Sequence, residues 1–136
     1  MKPKDFLGLA QELAGGGNPA KNRTAINRAY YSAYHTGKAI LAQMKCPTSR
    51  HGDVWDLLRH SGSEQVEDAG DSLSDLYSQR HKADYELLKP GPEDDKTAKA
   101  VIEQAEKVIR CLDECFSGAQ GPAITQTIQV YYSSTP

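Results

Sequence analysis

The segment RTAINRAYYSAYHTGKAILAQM, residues 23–44, establishes the architecture of this chain. It contains no proline and a single glycine. Its apolar positions recur at alternating steps of four and three residues, which is the spacing of one side of an α-helix. Those positions are Ile26, Tyr30, Ala33, Gly37, Ile40 and Met44. The segment therefore predicts a long helix, from about Ala20 to Lys45, with one face in a hydrophobic core.

A second side of the same predicted helix carries Arg28, Ser32 and His35. Their spacing places the guanidinium and the imidazole about 10 Å apart, in one line along the helix. Because a fixed positive charge and a titratable ring would then point the same way, Arg28 and His35 are candidate site residues.

Apolar spacing predicts further helices on both sides of this segment. A short amphipathic helix over Lys4–Ala14 ends at three glycines, residues 15–17. These glycines indicate a helix stop rather than a phosphate-binding loop, because they lack the Gly-Lys-Ser/Thr ending and follow no strand. Further helices are predicted over residues 53–60, over residues 64–88, and from the acidic run at 93–95 to Gly118. The fold class is all-α, an antiparallel bundle of four to five helices.

The character of the sequence changes after residue 118. Residues 119–136 show no helical period, and Ile124, Ile128, Val130 and Tyr132 would fall on one side of an extended strand. We predict a single helical domain over residues 1–118 and an extended or disordered tail over residues 119–136. Such a tail could also pair with another chain across a homodimer.

Two charged residues interrupt the apolar stripe of the helix predicted over residues 64–88. Arg80 and Asp84 stand where Leu or Ala would be expected. Unpaired burial of either charge would cost several kcal/mol, so we expect them to pair with each other or with a group such as Arg28. The pair has two interpretations, a structural ion pair that fixes helix register or a functional site.

Composition narrows the classes of protein that the chain can be. With 136 residues, 38% hydrophobic and 25% charged, it can form one ordinary core. No run approaches the roughly 20 apolar residues of a membrane span, and Asp5 and Glu12 interrupt the apolar N-terminus, so we predict a cytoplasmic protein. The three cysteines form no Cys-x-x-Cys pair, and Cys111 and Cys115 would need ligands from another helix to hold a metal. We predict no metal and no cofactor.

The net charge of −2 is unevenly distributed. Residues 1–60 carry nine Lys or Arg against four Asp or Glu, a net +5, so by difference from −2 the remainder carries −7. A chain this close to neutral is no general polyanion binder. Its basic first half could hold a short RNA segment or a nucleotide, or the two halves could attract each other or a second subunit.

Three separated motifs give the chain a resemblance to a known superfamily. They are AINRAYYSAYHTGKAIL (residues 25–41), Ser49-Arg50-His51-Gly52, and LYSQRHKADYELL (residues 76–88). Between about Thr24 and Phe116 the chain resembles the HEPN superfamily of small helical proteins, in particular its stand-alone branch.

The resemblance implies a helical bundle, a homodimer and a connection to RNA or nucleotides. Many relatives are metal-independent ribonucleases of toxin–antitoxin or antiphage systems, encoded beside a minimal nucleotidyltransferase that would be a partner protein. In those nucleases a His follows an Arg after four to six residues. The imidazole transfers protons and the guanidinium stabilises charge on the phosphoryl group.

This sequence departs from that motif. The residues after Arg80 are HKADYEL, so no His stands four to six positions further on, and His81 points about 100° away from Arg80. The candidate catalytic residues are therefore Arg28, His35 and Arg80. The candidate nucleic-acid or nucleotide-binding residues are Tyr31, Asp84 and Tyr85.

The tyrosines of these two helices have two interpretations. They could stack on bases, or they could be core residues whose hydroxyl groups reach a polar partner. Two functions also stay open, an RNA-targeting effector of a defence or toxin–antitoxin system and a non-catalytic dimeric module that binds a partner protein or nucleotide. A closed ion-pair network of Arg28, Arg80 and Asp84 would favour the module, and an open cleft at a dimer axis with His35 on its wall would favour the effector.

Overall fold

The computed structural model describes residues 1–135, and within them it contains helices and no strand. The helices are α1 (Pro3–Leu13), α2 (Pro19–Gln43), α3 (His51–Arg59), α4 (Glu64–Tyr85), α5 (Asp95–Ser117) and α6 (Gly121–Ser134). A short 3₁₀ turn, Gly91–Glu93, precedes α5. The predicted all-α bundle is confirmed. No helix in the described part of the chain is both long and apolar enough to cross a membrane.

The long helix α2 lies at the centre of the bundle and packs against α1, α4 and α5. Its predicted inward face is confirmed, because Ile26, Tyr30, Ala33 and Gly37 are buried. Gly37 is needed where α3 crosses α2, because a Cβ at this position would lie 3.1 Å from a methyl carbon of Val54. This close approach brings the start of α3 against the aromatic side chains of α2.

Short polar side chains fix the starts of three helices. Asn18 caps α2 by accepting a hydrogen bond from the backbone N–H of Lys21 at 3.1 Å, and Pro19 occupies the first turn. Ser63 and Asp94 cap α4 and α5 in the same way. The sequence therefore sets these boundaries locally, close to where the pattern predicts them.

The end of α4 differs from the prediction, because the helix stops at Tyr85 rather than Leu88. The guanidinium of Arg23, on α2, donates hydrogen bonds to carbonyl oxygens at the end of α4 and in the following loop. These are the carbonyl oxygens of Lys82, Ala83, Glu86, Leu87 and Lys89. A side chain from another helix thus supplies hydrogen-bond donors to carbonyl groups at the end of α4 and in the loop, where a helix terminus leaves carbonyl groups without internal partners.

The prediction of an extended or disordered tail over residues 119–136 is wrong for residues 121–134, which form α6. Ile124 and Ile128 are buried on the bundle, whereas Val130 is 64% exposed. A spacing of four residues keeps two side chains on one face of a strand and also of a helix, so Ile124 and Ile128 did not discriminate between them. Pairing of the tail as a strand across a homodimer has no basis in this geometry, and Pro136 lies outside the described residues.

Candidate functional site

Arg80, on α4, lies against a set of tyrosine rings contributed equally by α2 and by α4 itself. Its residue surface is only 9% exposed. The guanidinium carbon lies between 5.1 and 5.9 Å from four ring centroids, those of Tyr77, Tyr31, Tyr30 and Tyr85. Because a ring face attracts a cation, these rings partly replace the water that Arg80 loses on burial. We call Arg80, these four tyrosines, Tyr34 and His51 the aromatic cluster.

Asp84 pairs with Arg80, which is one of the two pairings that the sequence left open. Its Oδ2 atom lies 3.3 Å from Arg80 Nη1 and also accepts a hydrogen bond from the Asn27 side chain at 2.8 Å. Burial alone would lower the pKa of Arg80, but Tyr31 and the hydrogen-bonded carboxylate of Asp84 outweigh burial and raise this pKa. The guanidinium therefore stays charged. Its Nε atom is buried and has no hydrogen-bond partner among the described residues.

His51, the first residue of α3, is the site residue that the sequence interpretation did not select. Its ring stacks on Tyr34 at 4.4 Å and lies 5.4 Å from the ring of Tyr77. The guanidinium carbon of Arg80 lies 5.1 Å from the same Tyr77 ring. The two side chains are therefore neighbours in the aromatic cluster although 29 positions separate them. The Ser-x-His-Gly motif was the signal that could have found His51.

The hydroxyl group of Tyr30 fixes one nitrogen of His51. Tyr30 Oη lies 2.5 Å from His51 Nδ1. Burial, followed by the neighbouring Tyr34 and Tyr31, raises the pKa of Tyr30, so this hydroxyl group keeps its proton. A neutral hydroxyl group can donate to an unprotonated Nδ1 or accept from Nδ1–H. Only the Nδ1–H tautomer leaves Nε2 unprotonated, and in that tautomer the contact with Tyr30 persists when the ring gains a second proton.

The environment of His51 favours the neutral imidazole. Burial lowers its pKa, and the positive charges of Arg80 and Lys38 lower it further. An imidazole that is neutral at physiological pH can accept a proton. Together, a free Nε2, a lowered pKa and a permanently charged neighbour are the properties of a general base next to an anion-stabilising group.

Arg28 and His35 both contact the ring of Phe6, on α1. The Arg28 guanidinium carbon is 5.7 Å from the Phe6 ring centroid, and the His35 ring stacks on the same ring at 5.7 Å. Burial, followed by the charge of Lys38, lowers the pKa of His35. His35 also lies 5.8 Å from Tyr31, at the margin of the aromatic cluster. A catalytic role for Arg28 or His35 stays a prediction.

Arg28 does not join the ion pair, which bears on the two functions that the sequence left open. Among the contacts of residues 1–135, Arg28 makes no hydrogen bond or salt bridge with Arg80 or Asp84, and its Nε atom has no partner. The closed three-residue network is therefore not formed. A dimer axis is not defined by one chain, so neither of the two discriminating arrangements is observed.

The two candidate binding tyrosines lie at the outer part of the aromatic cluster. Tyr85 is 65% exposed and lies against His81, with ring centroids 4.9 Å apart and ring planes tilted by 50°. Tyr31 is half-buried, whereas Tyr30 and Tyr34 are buried. The core interpretation therefore holds for Tyr30 and Tyr34, while Tyr31 and Tyr85 present ring surface that a base could contact.

The described residues contain no group of three His, Cys, Asp or Glu side chains arranged to hold a metal ion. Cys111 and Cys115 approach each other, with 4.0 Å between their sulfur atoms. They lie apart from the aromatic cluster. Cys111 Sγ donates to the backbone carbonyl of Gln65, at the start of α4.

Comparison with known proteins places this chain in a family. A curated protein of Methanocaldococcus jannaschii, named there as a candidate toxin, is 31% identical over 90 residues. That match covers 64% of this chain and 65% of the relative, so the chain spans just under two thirds of the relative's length. No solved structure matches the chain at a significant level. The family model described as the HEPN domain matches residues 2–115, which is most of the described bundle. This chain therefore belongs to the HEPN domain family.

Proposed function

We propose that this chain is a toxin-like HEPN protein that cleaves RNA without a metal ion, with His51 and Arg80 as the reacting pair. The observation that carries this proposal is the shared contact of both side chains with the rings of Tyr30 and Tyr77. The candidate-toxin name of the M. jannaschii relative supports the coarser part of the proposal.

The proposed step uses the RNA 2′-hydroxyl group as the nucleophile. His51 Nε2 takes the 2′-hydroxyl proton while the oxygen attacks the adjacent phosphorus and the bond to the 5′-oxygen breaks. The leaving oxygen takes a proton from water. The products are a 2′,3′-cyclic phosphate and a 5′-hydroxyl end. For Nε2 to accept this proton, the neutral ring carries its own proton on Nδ1, and this Nδ1–H donates to the Tyr30 hydroxyl oxygen before and after the transfer.

Arg80 supplies positive charge where the phosphoryl group becomes more negative. A preorganised charge in a partly dehydrated site is worth more than the same charge in water, about 3 kcal/mol for a single donor. Exposed ring surface on Tyr85 and Tyr31 offers a stacking position for an unpaired base beside this charge. Single-stranded RNA is the substrate class that uses both features.

A second function is favoured by one specific observation. Arg80 is 91% buried and paired with Asp84, which is also what a structural ion pair of a non-catalytic module would show. Such a module would bind a partner protein or a nucleotide through the exposed surface around Tyr85. The experiment below separates the two functions.

The test incubates the purified full chain with single-stranded RNA and tRNA in excess chelator. We expect cleavage with cyclic phosphate ends by the wild type and by the control H81Q, which changes an exposed His next to Arg80. We expect a loss of about 100-fold or more in H51Q, since a positioned general base contributes about that much.

Three outcomes would contradict the proposal. Absence of cleavage by the wild type would favour the non-catalytic module. Unchanged cleavage by H51Q would exclude His51 as the base. Loss of cleavage in H35Q but not in H51Q would assign the catalytic role to His35, on the side of α2 that also carries Arg28.

The proposal also covers the assembly, the cellular system and the partner of this chain. We propose that the chain works as a homodimer in a toxin–antitoxin or antiphage system, in the cytoplasm, beside a nucleotidyltransferase or another defence protein as partner. Light scattering of the purified chain tests the dimer. Co-purification with the product of the adjacent gene tests the partner.

A further inference from the structure

Helix α6 lies beyond residues 2–115, the part of the chain that the family model matches, and it makes hydrogen bonds on both sides of His51. Gln129 Nε2 donates to the backbone carbonyl of Met44 at 3.0 Å. The Tyr132 hydroxyl group donates to the backbone carbonyl of Pro47 at 3.2 Å. These two carbonyl groups belong to the connection between α2 and α3, at whose end His51 begins α3.

A third hydrogen bond ties α6 to the body of α3. The Tyr131 hydroxyl group donates to Asp56 Oδ2 at 3.0 Å. Asp56 lies five residues after His51, more than one helical turn into α3. The last turns of α6 therefore contact both the chain that enters α3 and α3 itself.

The other end of α6 is anchored by apolar packing. Ile124 is 6% exposed and Ile128 is fully buried, so the first turns are fixed to the bundle core. Near the connection the contact is different, because a cavity of about 390 Å³ lies between α6 and α3, lined by Pro47, Asp53 and Tyr132 among others. Tyr131 stacks on His60 at the far end of α3, with ring centroids 3.8 Å apart. At the connection itself, α6 is joined to the chain by the hydrogen bonds of Gln129 and Tyr132.

The connection begins with a backbone turn that ends α2, in which the N–H groups of Cys46 and Lys45 donate to the carbonyl groups of Leu41 and Ala42. Lys45 has a φ angle of 65°, in the left-handed region that residues other than glycine seldom adopt. Such a residue costs on the order of 1 kcal/mol and persists when its surroundings hold it. Met44, whose carbonyl accepts from Gln129, directly precedes this residue.

We propose that Gln129 and Tyr132 are positioning residues for His51. They hold the connection so that the His51 ring stays stacked on Tyr34 and its Nδ1 atom stays at the Tyr30 hydroxyl group. The catalytic consequence rests on the proposed function of His51. A displacement of about 1 Å is enough to cost a reaction up to 100-fold in rate.

The experiment compares the double variant Q129A/Y132F with Q126A, which removes an exposed glutamine from the same helix. Both are made in the full chain. The first measurement is the NMR signal of the His51 ring, assigned by its loss in H51Q, together with its nuclear Overhauser contacts to Tyr34. We expect the double variant to shift this signal and weaken these contacts, and Q126A to leave both unchanged.

The second measurement is the rate of RNA cleavage at saturating and limiting substrate. We expect kcat to fall about tenfold in the double variant with KM within twofold of the wild type, because the reacting group moves while the binding surface stays. A thermal unfolding curve confirms that both variants remain folded.

The two proposals fail in different ways. A His51 signal in the double variant identical to that of the wild type would overturn the positioning role, whatever the chain does to RNA. A wild type that does not cleave RNA would overturn the proposed function, while the NMR comparison would still decide the positioning role. A shifted ring with unchanged kcat would show that this positioning does not serve catalysis.

Discussion

Replacing Arg23 by Ala removes the side chain that holds the loop after α4. Its two terminal nitrogens donate to five backbone carbonyl oxygens, the shortest contact being 2.6 Å to the Lys89 carbonyl oxygen, and they pair with Glu93 at 3.3 Å. The Arg23 side chain is 11% exposed. The carbonyl groups that it leaves are therefore only partly accessible to water.

The magnitude follows from the number of protons that Arg23 can donate. Four N–H protons on the terminal nitrogens serve these acceptors, and each hydrogen bond contributes about 1 kcal/mol net. A third of the Glu93 side chain is exposed, so its ion pair adds little after solvent screening. Water can hydrate part of the carbonyl groups that R23A releases, so the loss is smaller than the sum of about 4 kcal/mol. We expect R23A to lose about 3 kcal/mol of unfolding free energy, which corresponds to roughly 10 °C in the unfolding temperature.

The assay is urea unfolding of R23A beside R110A, a substitution of an exposed arginine on α5. Hydrogen exchange of residues 86–90 should accelerate in R23A, because this loop loses its partner. R23K should give an intermediate loss, because an ammonium group cannot reach as many carbonyl groups as the guanidinium. Equal unfolding free energies of R23A and R110A, within about 0.5 kcal/mol, would refute the proposed role of Arg23.

Three further predictions concern the site and the last helix. The pKa values of His51 and His35 are lowered in the folded chain, so the unfolded chain binds more protons below about pH 6.5. The unfolding free energy should therefore fall as pH decreases from about 7 to 5. Urea unfolding at several pH values should show a shallower fall in H51Q than in the wild type. R80K should remain folded but cut RNA about 100-fold more slowly, because an ammonium group cannot reproduce the guanidinium fork; equal rates would contradict this. G121A should destabilise α6, because its Cβ would lie 2.2 Å from the Phe116 carbonyl oxygen; protease resistance of the C-terminal segment equal to the wild type would contradict this.

Tyr30, on α2, shows which contacts the spacing of residues can predict and which it cannot. Spacing alone identified Tyr30 as inward-facing, and the structure buries it completely. Spacing could not identify the partner of its hydroxyl group, because His51 lies 21 positions further along the chain and on another helix. The same limit applies to Phe6, whose contacts with Arg28 and His35 depend on how α1 packs on α2.

By itself, the sequence determined the helices up to residue 118 and placed Arg80 and Asp84 within reach of each other. Helical periodicity and capping residues act over a few positions, and a spacing of four residues brings these two charges together within one helix. Only the tertiary structure decided that residues 121–134 form a helix and that His51 joins Arg80. Two isoleucines four positions apart suit a strand as well as a helix until the bundle offers a surface for them. Contacts between helices depend on how whole elements pack, which no local spacing records.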